Sequence, residues 1–283
     1  MKKVLSFVVV ATIIAMLSPS ASAVELLVTD DASPNARPGD GSGGQGGRGS
    51  NPFGFLGAET VSVDFVESER VLMKWDLTGV AGIAGDATLR LIMHNDRGGG
   101  TAELYKIKAS NAAWTEGTLS PGTIDGSNGW NGGMMLSAET GDLRTSGLSD
   151  GDLQANADDG FEGVNNGDTA AVASSVWTGG QKQDGSGACA AGDCNGETWD
   201  ITIPGAVIQN WINNPADNGG LIMMDHDETN HTGSFYMVTL SKDNNNGDTT
   251  LGPTLIFDVP EPGSVFLLSL GALCLVATRR RQR

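Results

Sequence analysis

Short runs of apolar residues recur along the chain between gaps rich in glycine, aspartate and asparagine. Within 70–77, Val71, Met73, Trp75 and Leu77 fall on one face and Lys74 and Asp76 on the other; within 87–94, Leu89, Leu91 and Met93 oppose Thr88, Arg90 and His94. Successive side chains of a strand point to opposite faces, so this period of two predicts half-buried antiparallel strands. Runs at 60–66, 101–107, 198–203, 220–224, 234–240 and 254–259 continue the series. Many short strands separated by Gly and Asp turns predict an all-β fold, a jelly-roll-like antiparallel β-sandwich with long Gly/Asp-rich loops. One segment breaks the period. Between Pro204 and Asn213, the residues Val207, Ile208, Trp211 and Ile212 form a helical stripe, opened by a proline suited to a first turn and stopped by Asn213, Asn214 and Pro215. It predicts one short helix packed across the end of the sandwich, with Trp75 and Trp211 inside.

Two stretches carry no such pattern. Residues 33–57 include Gly39, Gly41, Gly43, Gly44, Gly46 and Gly47 and predict a flexible loop or linker. Gly41 to Gly46 satisfies G-x-G-x-x-G, but no strand leads into it and no helix follows, so low complexity accounts for the match. The second stretch, 117–195, is longer than connections inside compact domains and predicts an inserted lobe or mobile loop.

The ends are different in kind. Lys2 and Lys3, an apolar run from Val4 to Leu17 and the small residues Ala21, Ser22 and Ala23 predict a secretory signal peptide over 1–23, removed before Val24. Residues 24–58 follow as an N-terminal strand and glycine-rich loop. At the other end Pro260, Glu261 and Pro262 lead into a 15-residue apolar segment, 264–278, and then Arg279, Arg280, Arg281 and Arg283. Fifteen residues fall short of the roughly 20 of a comfortable span, which suits a transient anchor, and the arginines orient it with the body across the membrane. This three-part tail over 260–283 resembles the PEP-CTERM sorting signal of bacteria that carry exosortases. The resemblance implies a membrane-embedded exosortase that cuts near Pro260, Glu261 and Pro262, releasing the body to the cell surface, the outer envelope or an extracellular polysaccharide matrix.

Six basic residues and no acid leave with the two ends, so the body at 24–263 goes from a formal charge of −17 to −23. Such a surface excludes nucleic acid as a partner and repels acidic polysaccharides unless divalent cations bridge the two. Cys274 lies in the tail; Cys189 and Cys194 remain and are expected to form a disulfide in an oxidising compartment, pinning a local turn. Zinc is the rival use of the pair, but the set lacks a neighbouring histidine.

A second likeness rests on 70–77, on Ala87 to Leu91, on Ala102 to Tyr105 with Lys106, and on Trp114 with Glu116. Trp199 to Ile203, Asn218 to Leu221 and Gly252 to Leu255 follow in order. These landmarks resemble the DNRLRE-type domain over 59–259, which implies a jelly-roll sandwich related to carbohydrate-binding module family 96. The chain departs from that pattern in lacking the arginine before Pro253 and in the long stretch at 117–195.

Candidate chemistry is sparse. Gly147 to Gly151 reads G-x-S-x-G without the strand, turn and helix of a nucleophile elbow. Asp225, His226, Asp227 and His231 offer carboxylate oxygen and imidazole nitrogen to a metal, although the histidine spacing is not that of a helical zinc site and a solvated acidic turn competes. Asp150, Asp152, Asp158, Asp159 and Glu162 are hard oxygen donors suited to a structural Ca²⁺, in an order that is not an EF-hand. Trp114, Trp130 and Trp177 stand in or beside polar stretches and are the candidates for stacking on a sugar, each also able to serve as a lid over a loop. The expectation is a secreted, non-catalytic surface or matrix protein that binds or is embedded in polysaccharide. The alternatives are a polysaccharide lyase or glycoside hydrolase, and a structural protein that self-associates.

Overall fold

The computed structural model describes residues 21–36, 45–48, 53–62, 65–109, 112–114, 161–162, 170–189, 194–225, 234–242 and 248–260. Fourteen strands account for most of them: β1 (Ala21–Leu27), β2 (Asp30–Ala36), β3 (Gln45–Arg48), β4 (Phe53–Ser62), β5 (Phe65–Glu69), β6 (Val71–Lys74), β7 (Ala84–Arg97), β8 (Gly99–Ile107), β9 (Phe161–Glu162), β10 (Ala173–Thr178), β11 (Thr198–Ile203), β12 (Leu221–Asp225), β13 (Ser234–Leu240) and β14 (Thr254–Pro260). All pairings are antiparallel. The order β1-β14-β7-β13-β4-β5-β2-β6-β12-β8-β10 folds back on itself into two packed sheets and is not a closed barrel. The first sheet holds β1, β14, β7 and β11; the second holds β6, β12, β8 and β10; β13, β4, β5 and β2 connect them.

The alternation places the core as expected. Leu89 and Leu91 on β7, Ile201 and Ile203 on β11 and Leu255 on β14 face Val71 and Met73 on β6, Leu104 on β8 and Met223 on β12 in a single apolar cluster. β12 departs from the half-buried expectation, since Leu221 to Asp225 are all buried. Leu221 and Met223 join the cluster between the sheets, and β4 also lies close to β12, so the run is that of a strand covered by its neighbours.

The helix α1 (Gly205–Asn213) lies within the predicted segment, with Val207, Ile208 and Trp211 turned into the core. No side chain of its own caps it. Instead the Gly205 amide donates to Asp86 Oδ1 at 3.0 Å, so the strand end of β7 supplies the missing acceptor. Gln209 ties the same helix to the chain before β7 by accepting from the Ile83 amide at 3.1 Å.

Several expectations change. Residues 33–57 contain the end of β2, β3 and the start of β4; glycine does not prevent pairing because the ladder is made by backbone groups. The single strand expected at 60–66 is divided between β4 and β5, which pair with each other and reverse the chain. Residues 117–195 are not wholly irregular, for β9 and β10 both pair with β8. Ala21, Ser22 and Ala23 stand in β1 as pairing residues opposite Pro260, Val259 and Asp258.

Candidate functional site

Among the described residues β10 ends the second sheet and β11 borders the first, so between them the sandwich presents an open side. Their alternation turns Trp177 and Trp199 inward, where the rings meet at 6.3 Å with planes tilted by 59°. Trp199 Nε1 donates to Ser175 Oγ at 2.7 Å, a bond from one sheet to the other.

The segment after β10 closes part of this side. Gly180 turns at φ +71°, its amide donating to the buried Asp96 carboxylate at 2.9 Å. Lys182 and Gly187 then form a narrow loop, and the Cys189 to Cys194 disulfide holds its return. Gln183 acts as a short extra strand: its Nε2 donates to the Asp200 carbonyl at 2.6 Å and its Oε1 accepts from the Asp200 amide at 2.7 Å. The result is a cleft of about 330 Å³ walled by Trp177, Trp199, Asp96, Gln181, Thr178 and Thr198. Lys182 and Glu197 also line it and pair with each other at 3.2 Å, both still partly open to solvent. The Trp177 indole N–H, buried on this wall, has no protein acceptor. Amide, hydroxyl and one ion pair over aromatic edges make a surface that can accept and donate hydrogen bonds to a polyhydroxylated ligand.

The residues singled out from the sequence are distributed otherwise. Trp114 is 3% exposed, donates through Nε1 to the Gly219 carbonyl at 2.6 Å and lies 4.9 Å beneath the Lys74 ammonium. Lys74 also donates to the Trp114 carbonyl, and burial, opposed by nearby Asp30, pulls its pKa down. Trp114 is thus a lid over a loop, not an open stacking face. Trp177 is also 3% exposed, reached by a ligand only along its edge in the cleft, because its ring is laid over Gly100, where a Cβ would meet it at 2.3 Å. Trp130 lies outside the described residues.

Asp225 is fully buried at the end of β12, and His226, Asp227 and His231 lie outside the described residues. Glu162 pairs with the Lys106 ammonium at 3.1 Å, so its carboxylate is engaged by protein. Among the described residues no group of three or more His, Cys, Asp or Glu is placed to hold a metal ion. Pro260 ends β14, while Glu261, Pro262 and the apolar segment 264–278 lie outside the described residues. Among the described residues no helix is long and apolar enough to cross a membrane.

Asp96, Gln181, Lys182 and Glu197 are not singled out by sequence, and Trp199 enters there only as a landmark of the DNRLRE-like pattern. The alternation of 198–203 places Trp199 inward, but only the folded chain brings residues so far apart together.

Compared with known families, residues 258–281 match the PEP-CTERM protein-sorting motif, and the match includes none of the DNRLRE landmarks. Comparison with curated proteins gives no match. The motif indicates export across the cytoplasmic membrane and exosortase-processed placement at the surface or outside the cell.

Proposed function

We propose that the processed body is a non-catalytic module of the cell surface or extracellular matrix that holds neutral polysaccharide in the cleft between β10 and β11. The observation that carries this reading is the cleft itself, with hydrogen-bonding side chains set over the Trp177 and Trp199 pair at an open side of a secreted sandwich. The body's charge of −23 favours uncharged over acidic chains.

The test is retention of the exported protein on neutral and acidic polysaccharides, with calcium and with chelator, while released sugar is assayed. Retention without release is expected, weakened about tenfold or more when Gln181→Ala is combined with Lys182→Ala, the equivalent of one lost hydrogen bond to a charged group. Unchanged retention would remove the cleft from the site. Sugar release would make the protein an enzyme, and self-association without any retention would make it a structural protein.

A further inference from the structure

The two ends of the body meet in one ladder. β1 pairs with β14 through Ala21 with Pro260, Ser22 with Val259 and Ala23 with Asp258, and continues through Val24 with Phe257 to Leu27 with Thr254. On the other side of β14, β7 begins at Ala84, which pairs with Asp258. Val259 and Pro260 therefore lie beyond the end of β7, and their strand partners among the described residues are Ser22 and Ala21 alone. Those partners are the last residues of the predicted leader, whose removal before Val24 takes them away.

The sorting motif begins at residue 258, inside this ladder. Only 261–263 separate the strand from the apolar segment at 264, a reach of at most about 11 Å for three extended residues. A membrane-embedded protease must then engage a chain that is already leaving the sandwich. We propose that Asp258, Val259 and Pro260 are an interaction edge with two successive occupants. The leader's tail covers it before signal peptidase acts, and the exosortase afterwards takes the vacated edge as an added strand, so that N-terminal processing licenses C-terminal processing. Strand addition suits the segment because its backbone is extended and loses one partner without losing the rest of β14. Pro260 brings no N–H of its own and limits the addition to the residues before the cut. The inference rests on the reading of 1–23 as a leader and is independent of glycan binding.

The test uses the full chain in cells that process it. Ser18→Ala and Ser20→Ala with Ala23→Leu move the small-residue site upstream, so that residues 21–23 stay on the exported body whether the cut moves or fails. Pulse-chase and intact mass then measure the tail-bearing precursor. About tenfold slower loss of the tail is expected, the equivalent of roughly one net ladder hydrogen bond competing with the protease. Adding Ser22→Pro, which disrupts the pairing opposite Val259 while leaving the moved site in place, is expected to restore the normal rate. Normal tail removal with residues 21–23 still attached would overturn the proposal, as would a delay that Ser22→Pro does not relieve.

Discussion

Gly205 opens α1 directly against the start of β7, and a methyl group there would sit 1.9 Å from the Gly85 carbonyl oxygen and 2.9 Å from its carbon. Gly205→Ala therefore sets two effects against each other. Helix propensity favours alanine by about 0.5–1 kcal/mol. Against it stands a clash with backbone that cannot rotate away. The Gly205 amide is tied to Asp86, and β7 is held between β11 and β14. A carbon and a carbonyl oxygen rest at about 3.3 Å, so roughly 1.4 Å of separation must come from lifting the helix. That movement loosens Val207, Ile208 and Trp211, all buried by the helix. A clash this deep with fixed backbone falls in the upper part of the overpacking range, about 2–3 kcal/mol, which leaves a net loss of about 1–2.5 kcal/mol. In a body of this size it lowers Tm by about 2–10 °C. Calorimetry of the secreted protein measures it, with Ala206→Gly as the control. Residue 206 is exposed on the same helix, so that change carries only the propensity loss of about 0.5–1 kcal/mol. A Gly205→Ala protein as stable as the parent would refute the close approach of helix to sheet.

Two further perturbations probe the loop and the acid limit. Cys189 and Cys194 are separated by 5 in sequence, and closing so short a loop contributes about 2 kcal/mol, so Cys189→Ser with Cys194→Ser is expected to lower Tm by about 4–8 °C; an unchanged melt would contradict it. The exposed Asp248 carboxylate accepts from the Thr250 hydroxyl and amide, which hold its pKa below the ordinary value. The unfolded chain binds this proton at higher pH than the folded one. The contribution is thus present above the ordinary carboxylate pKa of about 4 and lost as pH falls through the depressed folded value. A plot of Tm against pH should be less steep in that acidic window for Asp248→Ala, and an identical slope would show that the capping bonds do not persist in solution.

The sequence by itself determined which residues face inward and that the chain carries an export-sorting signal. Strand alternation placed Leu89, Leu91 and Met93 on the core side, the stripe of Val207, Ile208 and Trp211 placed α1, and the Pro260 to Pro262 break with its apolar and basic sequel placed the sorting signal. These are local properties, because a period of two or 3.6 residues and a string of residue types are written in consecutive positions. Partnership is not. β3, Gln45 to Arg48, pairs through backbone groups that every residue carries, so its glycines hid it. Trp114 and Trp177 sit beside polar sequence, yet both are buried, the Trp114 indole N–H donating to the Gly219 carbonyl and the Trp177 ring lying over Gly100, each distant in the chain. The cleft joins residues from 93 to 199, and the ladder that joins residues 21–23 to the sorting motif spans nearly the whole chain. Only closure of those long loops, driven by burial of the two apolar faces against each other, brings such residues together, and no short window of sequence records it.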